Sequence, residues 1–211
     1  MRLVLAVLAA AWLAGVHAQD TGRAQALRAL DATDAAARRA AIVALAETGT
    51  MADTAALVKA LRDRDEAARD EAEKALWRIW SRSGSAEVDA LYQRGLAEMQ
   101  AGDLAEAIAT FSRVIEAKPD FAEGWNKRAT LYFMTGDLRR SLADCDEVVK
   151  RNPAHFGALS GYAQIYARLA YYERALDYAR RALAVNPNLE GMRRSVEMLE
   201  HLVEQRRKQT I

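Results

Sequence analysis

Residues 122–155 read AEGWNKRATLYFMTGDLRRSLADCDEVVKRNPAH, and the landmarks of that stretch recur 34 residues to either side. Pro153 is matched at that interval by Pro119 and Pro187, the other two prolines of the 211-residue chain. Gly136-Asp137 repeats Gly102-Asp103, and Asn152-Pro153 returns as Asn186-Pro187. Ala129 stands in a column of small residues with Gly95 and Ala163, and Ser141 in another with Ala107 and Ala175. Trp125 aligns with Leu91 and Leu159, Leu142 with Ile108 and Leu176, Val148 with Val114 and Ala182, and Val149 with Ile115 and Leu183. A fixed period of this size is the signature of stacked supersecondary units, a solenoid.

Each unit reads as two antiparallel helices. In the first unit a helix over about 91–101 is closed by Gly102, which takes the left-handed conformation at little cost. Asp103 is suited to cap the helix that follows, where Leu104, Ile108, Phe111, Val114 and Ile115 recur at helical spacing. Pro119 stops that helix, because its ring and missing N–H cannot continue the ladder. The small columns let the two helices approach closely.

These residues resemble the tetratricopeptide repeat, a pattern carried in the middle unit by Trp125, Ala129, Tyr132, Gly136, Ser141, Val148 and Pro153. The resemblance implies an all-α fold, a right-handed α-α superhelix, with repeats at 88–121, 122–155 and 156–189. Residues 190–211 follow as a capping helix and tail, with an apolar stripe of Met192, Val196, Leu199 and Val203. Three departures stand out: Ala170-Tyr171 replaces Gly-Asp in the third unit, Arg94 and Arg128 stand where Leu is usual, and Cys145 replaces an aromatic. The closing Arg206-Arg207-Lys208 reads as a solvated helix end rather than a nucleic-acid contact.

A second period of 31 lies upstream, pairing Leu27 with Val58, Leu30 with Leu61, Asp34 with Asp65, Arg38 with Arg69, Ala41 with Ala72 and Leu45 with Leu76. A short helix followed by Asp-x-x-x-Arg opening an Ala-rich helix resembles the HEAT-like repeat, in two units over 20–82. There the Arg is expected near the Asp four residues before it, on the same side of the helix. The fold expected for the whole chain is thus a tetratricopeptide solenoid with an N-terminal HEAT-like α-solenoid segment. Residues 83–87 form a small, polar linker between the arrays. Trp77 and Trp80, just before it, read as core residues sealing the first array or docking it on the second; the alternative is an exposed ligand-stacking pair.

Residues 1–18 fit neither array. Arg2, an apolar run from Leu3 to Ala14, and Val16-His17-Ala18 look like a secretory signal peptide cleaved after Ala18. The run is shorter than the roughly 20 residues needed to cross a bilayer. The expected mature chain is exported, without stable membrane insertion, and periplasmic by its Ala- and Arg-rich composition. Its formal charge balances, because the 30 basic and 29 acidic residues lose Arg2 with the leader. A nucleic-acid binder would carry a basic surplus on one face, so nucleic acid is not an expected partner.

No catalytic, cofactor or metal site emerges. Cys145 is the single cysteine, which rules out an internal disulfide and reads as a buried small hydrophobe, with intermolecular pairing as the alternative. Beyond residue 18 only His155 and His201 remain, and His155 lies ten residues past Cys145. Asp144-Cys145-Asp146-Glu147 is acidic, but consecutive helical residues point in different directions. No glycine-rich phosphate loop or zinc-ligand pair appears, so the chain is not expected to be an enzyme.

Recognition is what the resemblance implies, through a concave groove lined by the first helix of each unit. Carried onto this chain, the first unit supplies Asp89, Tyr92, Leu96, Met99 and Gln100, and the second Glu123, Asn126, Thr130, Phe133 and Met134. The third supplies Ser160, Gln164, Ala167 and Arg168, and the cap adds Arg194 and Met198. The candidate partner-binding set is Tyr92, Leu96, Met99, Asn126, Thr130, Phe133, Ser160, Gln164, Arg168 and Arg194. An apolar strip bordered by amides and hydroxyls suits an extended peptide or a helix of a protein partner. Met99 and Met134 also fit simple packing between neighbouring helices. The Lys-Asn-Arg clamp that grips a chaperone C-terminus in this family is not reproduced, since Tyr92 and Leu96 occupy two of its places. Two functions remain: an exported interaction adaptor, or a structural subunit of an envelope assembly or homo-oligomer in which the groove is incidental.

Overall fold

The computed structural model describes residues 21–209, which are helical apart from turns and one short 3-10 segment. The expected signal peptide lies outside the described residues. The chain divides into two compact units at Ile79/Trp80.

The first unit contains helix α1 (described over 21–29), α2 (Ala35–Thr48), a 3-10 turn (Met51–Asp53), α3 (Thr54–Ala60) and most of α4 (Glu66–Trp80). Its core is Ala26, Ile42, Leu45, Leu57, Leu61, Ala72 and Leu76. Asp34 and Asp65 cap α2 and α4 by accepting from Ala37 N and Ala68 N, each at 2.9 Å. Arg38 was expected near Asp34, and the Asp34 charge does act on it, but their side chains make no hydrogen bond to each other. Arg38 instead donates two hydrogen bonds of 2.7 Å to Asp63 and two more to the carbonyls of Ala32 and Thr33. The reason is competition: the Asp34 carboxylate is engaged at its own helix N-terminus, while Asp63 lies in the turn before α4. The Asp63 carboxyl is held below the usual range chiefly by Arg38, against the burial that raises it.

The second unit is built from helix pairs: α5 (Ala86–Ala101) with α6 (Leu104–Ala117), α7 (Ala122–Met134) with α8 (Leu138–Arg151), and α9 (Phe156–Arg168) with α10 (Tyr172–Val185). Helix α11 (Glu190–Gln209) packs on α10. The helices α6, α8 and α10 each end two residues before a proline. Asn152 and Asn186, buried at those ends, turn their carbonyls back onto Ala154 N and Asn188 N. Gly102 and Gly136 close α5 and α7 at φ 86° and 84°. In the third unit Ala170 takes the same left-handed region at φ 57°. The chain closes there as it does in the first repeat, with Tyr171 N–H on Tyr166 O at 2.9 Å and Asp103 N–H on Glu98 O at 3.0 Å. Asp137 caps α8 through Arg140 N, whereas Asp103, expected to cap α6, makes no side-chain cap bond.

The small columns do place helices in close contact. A Cβ at Gly95 would meet the Phe111 ring at 2.8 Å. Ser141 uses its place for a hydrogen bond, donating to Ala129 O at 2.7 Å across the α7–α8 contact. Arg128, where Leu is usual, makes a two-pronged bond of 2.8 Å per arm to Asp144 and a third to Ser112 Oγ at 3.0 Å. In the third unit Tyr162 and Tyr178 stack at 4.2 Å between centroids, with Tyr166 5.6 Å from Tyr178. The Tyr162 hydroxyl donates to Asp146.

Candidate functional site

Helix α7 packs against α9 as well as against α8, so the first helices of consecutive repeats are neighbours. Between them lies a hollow of about 190 Å³. Asn126, Ala129, Thr130 and Phe133 of α7 form one wall, and Gly157, Ala158, Gly161, Gln164 and Ile165 of α9 the other; Ser141 and Cys145 of α8 complete the lining. The space exists because two positions of α9 carry no side chain. At Gly161 the nearest atom to an added Cβ is Cys145 Sγ, at 3.5 Å.

Four residues of the candidate set, Asn126, Thr130, Phe133 and Gln164, are brought together on this hollow. Arg168, exposed at the end of α9, reaches back to the Phe133 carbonyl at 3.3 Å and lies over the Phe133 ring at 5.5 Å. Ser160 is half-buried on α9, and Arg194 is exposed on α11 beside Glu190. Met134 and Met198 are exposed. The candidates of the repeat at 88–121 behave differently. Tyr92 is 1% exposed and edge-on to Phe111 and Phe121, and Leu96 and Met99 pack against that same cluster. Tyr92 is thus a core residue: its ring fills space between repeats, and burial, with the nearby Glu123 charge, pushes its hydroxyl pKa up.

Glu123, expected to line the groove, is completely buried behind it. Its Oε2 accepts from Asn126 Nδ2 at 2.9 Å, and its Oε1 lies 3.2 Å from His155 Nε2. Burial raises its pKa, but the His155 and Asn126 hydrogen bonds and the Lys127 charge, with Nζ 3.7 Å from Oε2, bring it below the usual range. His155 is also buried, caps α9 by accepting from Ala158 N at 3.0 Å, and stacks on Trp80 at 4.7 Å. Sequence reasoning weighed His155 only as a partner for Cys145 and did not foresee this pair, which spans 32 residues. Cys145 is buried, and its thiol is pushed up to about 12 by burial and by the charges of Asp144 and Asp146, which keeps it an unreactive wall.

The acidic run on α8 is dispersed: Asp144 pairs with Arg128, Asp146 accepts from Tyr162, and Glu147 pairs with Arg151. Among the described residues no group of three or more His, Cys, Asp or Glu is placed to hold a metal ion. Nor is any helix among them long and apolar enough to cross a membrane. The described residues thus set apolar walls and hydrogen-bonding groups around one recess.

Comparison with known proteins agrees with the fold. Residues 95–136 match the family model described as TPR repeat, and 126–190 match that described as tetratricopeptide repeat. The second unit therefore carries tetratricopeptide repeats. A TPR repeat-containing protein of Rhizobium etli is 36% identical over 120 residues, which is 57% of this chain and 59% of that protein. Among solved structures, the first TPR of Spaghetti (RPAP3), bound to an HSP90 peptide, has a TM-score of 0.54 at 21% identity, covering 56% of this chain and 93% of the other. The TPR2B domain of yeast Sti1, in a complex with pHsp70, has a TM-score of 0.52 at 18% identity, covering 58% of this chain and 99% of the other. These likenesses show the fold: an all-α tetratricopeptide solenoid.

Proposed function

We propose that this protein is an exported interaction adaptor that holds a peptide or protein segment in the groove formed by α7 and α9. The observation that carries this reading is the hollow itself, an apolar recess rimmed by Asn126, Thr130 and Gln164. Cavities of roughly 150 Å³ admit a benzene-sized group, so this one has room for a single aliphatic or aromatic side chain. That solved neighbours of the same fold are in complex with an HSP90 peptide and with pHsp70 supports a protein ligand. Export to the periplasm rests on the leader-like pattern of residues 1–18. The first unit serves in this proposal as a HEAT-like pair; its 31-residue period supports that assignment.

The test is capture from an envelope extract by the mature chain and by its Asn126→Ala/Phe133→Ala/Gln164→Ala variant. The variant is expected to keep its helical ellipticity and lose its bound protein. Undiminished capture by the folded variant overturns the groove reading.

A further inference from the structure

One polar residue lining the hollow, Asn126, is oriented by a buried neighbour. Asn126 is 8% exposed and gives its Nδ2 to the buried Glu123 carboxylate. A carboxylate only accepts, so the amide has one stable orientation, with its NH2 turned to Glu123. The carboxylate is itself held. His155 Nδ1 accepts from Ala158 N, which places the ring hydrogen on Nε2, against Glu123 Oε1. Trp80, stacked at 4.7 Å and 24°, prevents that ring from turning away. What remains of the amide is Oδ1, which accepts no hydrogen bond among the described residues.

We propose that Glu123 and His155 are positioning residues that present Asn126 Oδ1 to the hollow, so that the groove selects an extended peptide offering a main-chain N–H beside an apolar side chain. The inference rests on the groove reading and adds a direction to it: the site asks for a donor. An acceptor placed at Asn126 would face oxygen against oxygen, and an ester in the peptide backbone would leave Oδ1 desolvated without a partner.

Glu123→Gln reverses the logic while preserving size. His155 Nε2–H still requires an acceptor, so the glutamine carbonyl faces His155 and its NH2 faces Asn126. The Asn126 amide then turns over and presents Nδ2 to the hollow. The site becomes a donor.

The experiment uses the mature chain and a displayed library of random dodecapeptides. The best binder is resynthesised with each main-chain N–H replaced in turn by an ester oxygen. One position is expected to lose roughly tenfold or more in affinity with the wild-type protein. In Glu123→Gln the same replacement is expected to cost less than about twofold, since no acceptor awaits the N–H. Equal sensitivity in both proteins, or no sensitive position, overturns the proposal while leaving the groove reading intact. A wild-type protein that enriches no peptide overturns both. Should Glu123→Gln not fold, the side-chain amide spectrum of the wild type decides: one Asn126 Nδ2 hydrogen protected from exchange supports the proposal, and two freely exchanging hydrogens overturn it.

Discussion

Arg128 and Asp144 face each other across the α7–α8 contact through two parallel N–H···O bonds of 2.8 Å, with side chains only 17% and 6% exposed. The ring of Trp125 lies 5.2 Å from the guanidinium. Breaking one side strands a buried charge, so Arg128→Leu is expected to cost about 3–5 kcal/mol. Arg128→Leu/Asp144→Leu is expected to recover most of that loss, because no charge is left behind. Urea unfolding of the three proteins checks this; a single variant costing under about 1 kcal/mol would mean that water already shields the pair.

Ala170 occupies a left-handed position that Gly102 and Gly136 hold in the preceding repeats. A side chain in that region costs roughly 1–2 kcal/mol, partly offset by the greater freedom glycine has in the unfolded chain. Ala170→Gly is expected to stabilise by about 0.5–1 kcal/mol, measured as a raised urea midpoint with unchanged slope.

Gly161 offers the converse case, a glycine inside a helix whose added methyl would make only ordinary contact with Cys145 Sγ at 3.5 Å. Gly161→Ala is expected to stabilise by about 0.5–1 kcal/mol. The same methyl narrows the hollow, so peptide capture is expected to weaken as stability rises. Capture that rises with stability would show that the ligand does not enter there.

Asp63 gives a pH dependence whose sign follows from Arg38. The folded carboxyl pKa lies below the unfolded value, chiefly through the Arg38 hydrogen bonds, so the unfolded chain binds more protons in acid. The stabilisation is present above the ordinary carboxylate range and is lost as pH falls below it, through the lower pKa of the folded carboxyl. Asp63→Asn should therefore be less stable than the parent at neutral pH, with the gap closing between about pH 5 and pH 2. Unfolding curves across that range provide the check, and a constant gap would contradict the assignment.

The fold was legible because turns are chemically narrow. Only a few residues close a helix, and Gly102, Gly136 and the three prolines do so at a fixed interval. Even the irregular Ala170-Tyr171 turn keeps the backbone path of its neighbours, since packing on either side dictates it. The groove was legible in part. Asn126, Thr130, Phe133 and Gln164 converge, whereas Tyr92 holds an equivalent place and is buried, because Phe111 and Phe121 close over it. Pairs such as Glu123–His155 and Arg128–Asp144 follow no periodic rule. Of these four residues only Arg128 gave a signal, as a polar residue at a position where the repeat usually has Leu.

The stacked tyrosines of α9 and α10 have a use of their own. The third repeat holds five of the chain's seven tyrosines, Tyr162, Tyr166, Tyr171, Tyr172 and Tyr178, and none of its tryptophans. Phenol rings 4.2 Å apart couple electronically and give that repeat a near-ultraviolet circular dichroism band of its own. Trp125 fluorescence belongs to the middle repeat, where two guanidinium groups lie over its ring. The chain thus carries separate optical labels on adjacent repeats. With Trp77 and Trp80 replaced by phenylalanine in the mature chain, loss of the tyrosine band before the Trp125 shift on heating would reveal an array that comes apart from its C-terminal end.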